Sequence, residues 1–280
     1  MNKIKRISVQ LIIFLKYRKL FKIFKKTKRL LGKIHRKQKV AYDESNDFSK
    51  ILIFFVAKIG TTTEAIHLLC KKGFGKDALV LLRTVFESFA NFKYMHENKK
   101  EVQKFLLYEL YEKKRMCRSL LDLETIPVNK QKITKQMTQL ECEWRKVKHN
   151  FEYQDKKGKK QIMNSWSGKN LASICDKIGM KEEYDMLYRY ASLYTHPTTS
   201  NALAYILGVT PNKKNITLEI GMSQKLVKQV LSSTTEYFLL FLQIINEEYN
   251  LEFKDDIKLL LENLKKTTKK HKTHATTESL

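Results

Sequence analysis

The sequence predicts an all-α fold, a helical bundle led by a basic amphipathic helix. Three observations carry that expectation. Only 9 glycines and 3 prolines occur in 280 residues, too few for a turn-rich sandwich, a propeller or a collagen-like chain. The apolar residues, 42% of the total, recur mostly at three-, four- and seven-residue spacing. No self-similar period of roughly 30 to 45 residues is visible, which argues against a solenoid.

Residues 1–39 hold 15 Lys and Arg and no acid, Asp43 being the first. Ile4, Ile7, Leu11, Ile12, Leu15, Leu20, Phe21, Phe24 and Leu31 suit one helical stripe. The start has the outline of a secretory leader, but its apolar run, Ile7 to Leu15, passes straight into Lys16-Tyr17-Arg18-Lys19 without a small-residue cleavage site. The run is also too short to span a bilayer. Such a helix lies on an anionic membrane, grips nucleic acid, or docks on its own domain. All three readings stay open at this point.

Residues 47–72 place Ile51, Leu52, Phe55, Ile59, Ile66 and Leu69 on a helical stripe, and Gly73-Phe74-Gly75 breaks it. Further helices are expected over 76–96, 101–124 (stopping near Pro127) and 130–150. Lys156-Lys157-Gly158-Lys159-Lys160 and Ser165 to Gly168 read as a loop. Short helices follow at 170–178 and 182–196. Residues 211–215 read as a turn, with a brief extended piece from Ile216 to Ile220. Long helices over 223–249 and 254–267 close the fold, and the polar tail frays. The organisation is thus a basic arm (1–45), a helical bundle (46–268) and a tail (269–280).

The net charge is +25, of which +10 lies beyond residue 39, so a polyanionic partner is expected even without the arm. Cys70, Cys117, Cys142 and Cys175 form no C-x-x-C pair, which together with the lack of a leader predicts reduced thiols in a cytoplasm. His149 follows Cys142 by seven residues, but no second pair completes a zinc site, and no metal or cofactor is expected. The phosphate-loop, dinucleotide, H-E-x-x-H and G-x-S-x-G patterns are all missing from the sequence. Phosphate-loop hydrolysis, dinucleotide redox chemistry and zinc or serine hydrolysis lose support accordingly.

Two segments carry unusual polarity. Residues 77–92 are apolar almost all round, the mark of a helix buried on most sides, yet Arg83, Glu87 and Asn91 share one stripe at i, i+4 and i+8. A buried charge costs several kcal/mol unless paired, and Arg before Glu is the weaker order for a local pair. Partners on another helix are therefore expected. Residues 184–197 set Arg189 and His196 seven positions apart, hence on one side, with Asp185 and Ser192 beside them. Tyr184, Leu187, Tyr188 and Ala191 occupy the other side, and Pro197 ends the helix.

Arg189 followed after six residues by His196, late in an all-helical chain, resembles the R-x4-6-H signature of the HEPN superfamily. Those helical-bundle proteins often act as metal-independent endoribonucleases in toxins and antiviral systems. The frame of Leu82-Arg83-Thr84-Val85-Phe86-Glu87 early and Tyr188, Ser192, His196 and Pro197 late also resembles a bacterial domain-of-unknown-function family, over roughly residues 50–245. Tyr190 stands where many superfamily members carry a polar residue. The resemblance implies His196 as general acid or base and Arg189 as phosphate clamp. Arg83, Glu87, Asn91, Asp185 and Ser192 become supporting residues, and the products carry 2′,3′-cyclic phosphate and 5′-hydroxyl ends. It further implies a homodimer, RNA as substrate, and a cognate inhibitor or sensor as partner. Lys156, Lys157, Lys159 and Lys160 are expected to guide RNA by its phosphates, with Tyr188, Tyr190, Tyr194 or Trp166 stacking a base. The alternative is a non-enzymatic module that binds nucleic acid or an anionic membrane through residues 1–39, peripheral on the inner membrane face.

Overall fold

The computed structural model describes residues 3–36, 43–123, 127, 129–196, 199, 202, 205–210, 215–218 and 220–269. Its elements are α1 (Lys3–Arg36), α2 (Asp47–Lys72), α3 (Gly75–Glu97), α4 (Glu101–Leu121), α5 (Lys130–Val147), β1 (Glu152–Gln154), β2 (Lys160–Ile162), α6 (Leu171–Lys177), α7 (Lys181–Glu183), α8 (Arg189–Thr195), β3 (Ile206–Thr210), β4 (Asn215–Leu218), α9 (Val227–Glu248) and α10 (Lys254–Lys269). The fold is an all-α bundle decorated by two antiparallel hairpins, β1–β2 and β3–β4. Pro197, residues 211–214 and the tail beyond Lys269 lie outside the described residues.

α2, α3 and α9 form the centre of the bundle. Asn46 caps α2 by accepting from the Phe48 and Ser49 amides at 3.0 and 3.3 Å. At the other end Gly73 takes a left-handed φ of 83° and donates to the Cys70 carbonyl, while the Phe74 amide returns to Leu69. Gly75 opens α3 against the chain entering α9, where a Cβ would lie 2.2 Å from the Lys225 carbonyl oxygen, so no larger residue fits without displacing backbone. α2 is also long and apolar enough to cross a membrane by composition, but Phe48, Ile51, Leu52, Phe55, Ile59 and Ile66 are buried in the bundle's own core.

α1 is one of the bundle's helices, packed along α2, α9 and α10. Ile13, Tyr17, Leu20, Phe21, Ile23, Phe24, Leu30 and Ile34 are buried in the main core. The stripe expected for it holds at Leu20, Phe21 and Phe24 but not before Tyr17, where the helix leaves ideal geometry (φ −109°, ψ 16°). There Ile13 and Tyr17 turn inward, and Ile7, Leu11, Ile12 and Leu15 turn out. Wherever a basic helix has apolar residues on two faces, periodicity alone does not say which face wins.

The lysine-rich link is a hairpin rather than an open loop. The Asp155 carboxylate accepts from the Lys157 and Lys159 amides at 2.9 and 3.0 Å, and Gly158 has a φ of 74°. This hairpin rests on a satellite cluster of Tyr108, Trp144 and Phe151 between α4 and α5. A second difference concerns residues 206–218, where two paired strands stand instead of one short extended piece. The third is the helix expected over 182–196, which holds a π-helical turn at Tyr184–Tyr188 between α7 and α8. The Arg189 amide accordingly reaches the Tyr184 carbonyl, five residues back, and the Tyr184 and Tyr188 rings stack at 5.1 Å.

Candidate active site on α8

α8 is held against α3 by its inner side. Ala191 is fully buried, and Tyr184, Leu187 and Tyr188 pack on the main core. Arg83, half-buried on α3, donates from Nε to Ser192 Oγ at 3.2 Å and from its terminal nitrogen to the Tyr188 hydroxyl. Its guanidinium also lies 4.4 Å from the centre of the Tyr188 ring. The Tyr188 hydroxyl in turn donates to Glu87 Oε2 at 3.5 Å. Ser192 completes the network by donating to the Tyr188 carbonyl at 2.8 Å. The partners that the α3 charges require thus come from another helix. Burial, reinforced by the Glu87 carboxylate, pushes the Tyr188 hydroxyl above the ordinary phenol pKa, with Arg83 opposing.

Two supporting residues stand elsewhere than the spacing suggests. Ser192 faces α3 and Arg83 instead of joining Arg189 on the outer side, because α8 presents this position to the half-buried guanidinium. Asn91 spends its side-chain amide on the Glu87 carbonyl of its own helix at 2.8 Å and takes no part in the interhelical network. Tyr188, expected on the inner side of the helix or stacking a base, is the hub of the network instead. Its signal was there: a phenol on the inward side of a helix whose facing helix carries Arg83 and Glu87 must find polar company.

Arg189 and His196 are both exposed. An unbroken run of α-helix separates them, which puts their Cα atoms on the same side about 10 Å apart along the axis. His196 stands at the end of α8 in an extended conformation (φ −109°, ψ 138°). Side chains on a helix lean toward its N-terminus. Arg189 follows that rule and reaches back to Asp185 Oδ1 at 3.4 Å, away from His196. Asp185 also binds Lys181 at 3.1 Å, and the hydrogen bond from Lys181, then its charge and that of Arg189, hold the carboxyl below its usual pKa. In this state the guanidinium is an exposed, singly engaged fork, with donors left for an incoming oxyanion.

Lys156, Lys157, Lys159 and Lys160 are exposed at the β1–β2 turn, with Lys160 3.8 Å from Glu152. They belong to the α4–α5 side of the molecule, whereas α8 belongs to α3. Of the aromatic residues, Tyr188 is committed to Arg83, and Trp166 packs on Tyr94 and Phe105. Tyr190 is exposed on α8 and its hydroxyl lies 3.1 Å from that of Tyr194. Among the described residues no three His, Cys, Asp or Glu side chains converge as a metal site.

The sequence profile of a family described as "Family of unknown function (DUF5677)" matches residues 49–215, and the chain belongs to that family. That span holds α3, α8 and every residue of the network above. No curated protein and no solved structure matches the chain.

Proposed function

We propose that this family member is a HEPN-like, metal-independent endoribonuclease whose reacting groups are His196 and Arg189. The observation that carries the reading is the division of labour on α8. Its inner side is locked to the charged stripe of α3 through Arg83, Glu87, Tyr188 and Ser192, while its outer side offers Arg189 and His196 to solvent.

Cleaving RNA without a metal requires a base for the 2′-hydroxyl proton and donors for the crowded phosphate. Imidazole exchanges a proton near neutral pH and suits the first task. A guanidinium matches phosphate oxygens in pairs and suits the second. Because Arg189 rests on Asp185, the phosphate competes with that carboxylate and swings the guanidinium toward His196. The 2′-oxygen then attacks the phosphorus as its proton passes to His196, the bond to the 5′-oxygen breaks, and that oxygen takes a proton from solvent water, giving 2′,3′-cyclic phosphate and 5′-hydroxyl ends. In this reading a homodimer pairs two α8 surfaces around the RNA, and the lysines of the β1–β2 hairpin, on the α4–α5 side, meet phosphates of the strand away from the reacting groups. On this reading the protein acts as a cytoplasmic toxin or antiphage effector restrained by an inhibitor or sensor.

The test is cleavage of a mixed-sequence RNA in EDTA. The wild type cuts, while His196→Ala and Arg189→Ala, both at exposed positions, keep their circular dichroism and lose at least about 100-fold in rate. An inactive wild type, or an unimpaired His196→Ala, overturns the proposal and leaves a non-enzymatic module.

A further inference from the structure

α1 carries two opposed apolar faces, and only one of them is used inside the molecule. At about 100° per residue, Val9, Ile13, Tyr17 and Leu20 point into the core. On the far side, Ile7, Leu11, Phe14 and Leu15 fall within an arc of about 100°. They are 60%, 55%, 44% and 62% exposed, and Ile12 beside them is 45% exposed. Single exposed apolar residues mean little, whereas a contiguous patch marks a surface that meets another apolar phase. The described residues leave this one uncovered.

The same outward face changes character along the helix. After Leu15 it continues as Arg18, Lys22, Lys25, Arg29, Lys33 and Arg36, all exposed. The helix therefore shows an apolar tip followed by a row of bases roughly 27 Å long, with no acid in it. A second copy of the chain is a poor occupant, because pairing this face with itself opposes base to base. RNA suits the row but gains nothing from the tip. An anionic phospholipid surface satisfies both, with hydrocarbon for Ile7, Leu11, Phe14 and Leu15 and headgroup phosphates for the row.

We infer that the outward face of α1 docks the protein on an anionic bilayer surface, the tip entering the headgroup–acyl boundary. The bundle is anchored rigidly by this means, since the opposite face of the same helix is part of its core. This inference is independent of the ribonuclease reading and survives if no RNA is cut.

Sedimentation with vesicles tests it on the full chain. Phosphatidylglycerol-containing vesicles should retain the protein and phosphatidylcholine vesicles should not, with retention falling as salt rises. Leu11→Ser combined with Leu15→Ser should weaken partition on the order of 100-fold while thermal unfolding is unchanged, because neither side chain enters the core. In a Phe14→Trp variant, brominated lipid should quench the new fluorophore. Failure of the wild type to bind anionic vesicles overturns the inference. So does equal binding by the double serine variant, or an unquenched Trp at position 14. It is likewise overturned if that double variant instead dissociates a dimer or loses RNA retention, for then the tip serves a protein or a nucleic acid.

Discussion

Removing the Tyr188 hydroxyl is the sharpest perturbation of the α3–α8 network. Tyr188→Phe keeps the ring, its packing on Phe86 at 5.8 Å and its stack with Tyr184, so no cavity forms. Lost are an acceptor for Arg83 and a donor to Glu87. A hydrogen bond to a charged group contributes about 1.5–3 kcal/mol when well buried. The Arg83–Glu87 region is only half-buried, and water re-solvates part of it, so the expected loss is about 1–2 kcal/mol. Arg83→Met, which retains the aliphatic stem, also forfeits the Ser192 bond and the cation–π contact. Its expected cost is about 2–4 kcal/mol. Because both variants break one shared bond, the double variant should fall short of the sum by about 1 kcal/mol. Urea unfolding followed by circular dichroism reads all four corners of the cycle. Single losses below about 0.5 kcal/mol, the level of an ordinary surface change, or strict additivity would refute the idea that this network fastens α8 to α3.

Other expectations concern charge and reactivity. Asp185→Asn releases Arg189 from its carboxylate and should tighten RNA binding by about three- to tenfold in a filter-retention assay, an effect consistent with one exposed ion pair and abolished by adding Arg189→Ala. Burial pushes the Cys70 and Cys175 thiols up to about 12, whereas Cys142 is exposed. Iodoacetamide at neutral pH should therefore modify Cys142 within minutes and spare the other two in the folded protein, as mass spectrometry of peptides reads out. His67 is stacked 4.6 Å from Phe24 and edge-on to Phe21, and its Nδ1 has no hydrogen-bond partner among the described residues. Burial lowers its pKa in the folded state, with Lys71 and Lys28 adding to the effect against Glu64. The unfolded chain thus binds the proton first, so the stability contributed by neutral His67 is complete above the ordinary histidine pKa and is lost as pH falls through the lowered one. Unfolding midpoints measured across that window should decline toward acid in the wild type and decline less in His67→Phe.

The bundle was legible because its signals are local and redundant. α2 begins and ends where Asn46 and Gly73 place a cap and a left-handed stop, and α9 and α10 follow long apolar periodicities. The π-helical turn at Tyr184–Tyr188 was not legible, since a one-residue insertion in a helix leaves the composition of an ordinary turn. The hairpins escaped for another reason. Glu152–Gln154 and Lys160–Ile162 are three-residue strands with mixed polarity, fixed by the Asp155 turn rather than by alternation. In the candidate site, the i, i+4 stripe of Arg83 and Glu87 announced a partner helix, and Tyr188 and Ser192 supply it. That Ser192 sides with Arg83 and not with Arg189 depends on how α8 is rotated against α3, which is a tertiary fact. The lean of Arg189 toward Asp185 was implicit in their spacing, because a long side chain on a helix reaches one turn back.

The most direct test of the proposed chemistry is a pair of oligoribonucleotides cleaved in EDTA, identical but for one 2′-deoxy substitution at the scissile nucleotide. If the 2′-oxygen is the nucleophile and His196 takes its proton, the all-ribose strand is cut to a 2′,3′-cyclic phosphate end, and the substituted strand stays intact at that position. Cleavage of the 2′-deoxy linkage, or persistence of the same cut in His196→Ala, would contradict the account at its centre.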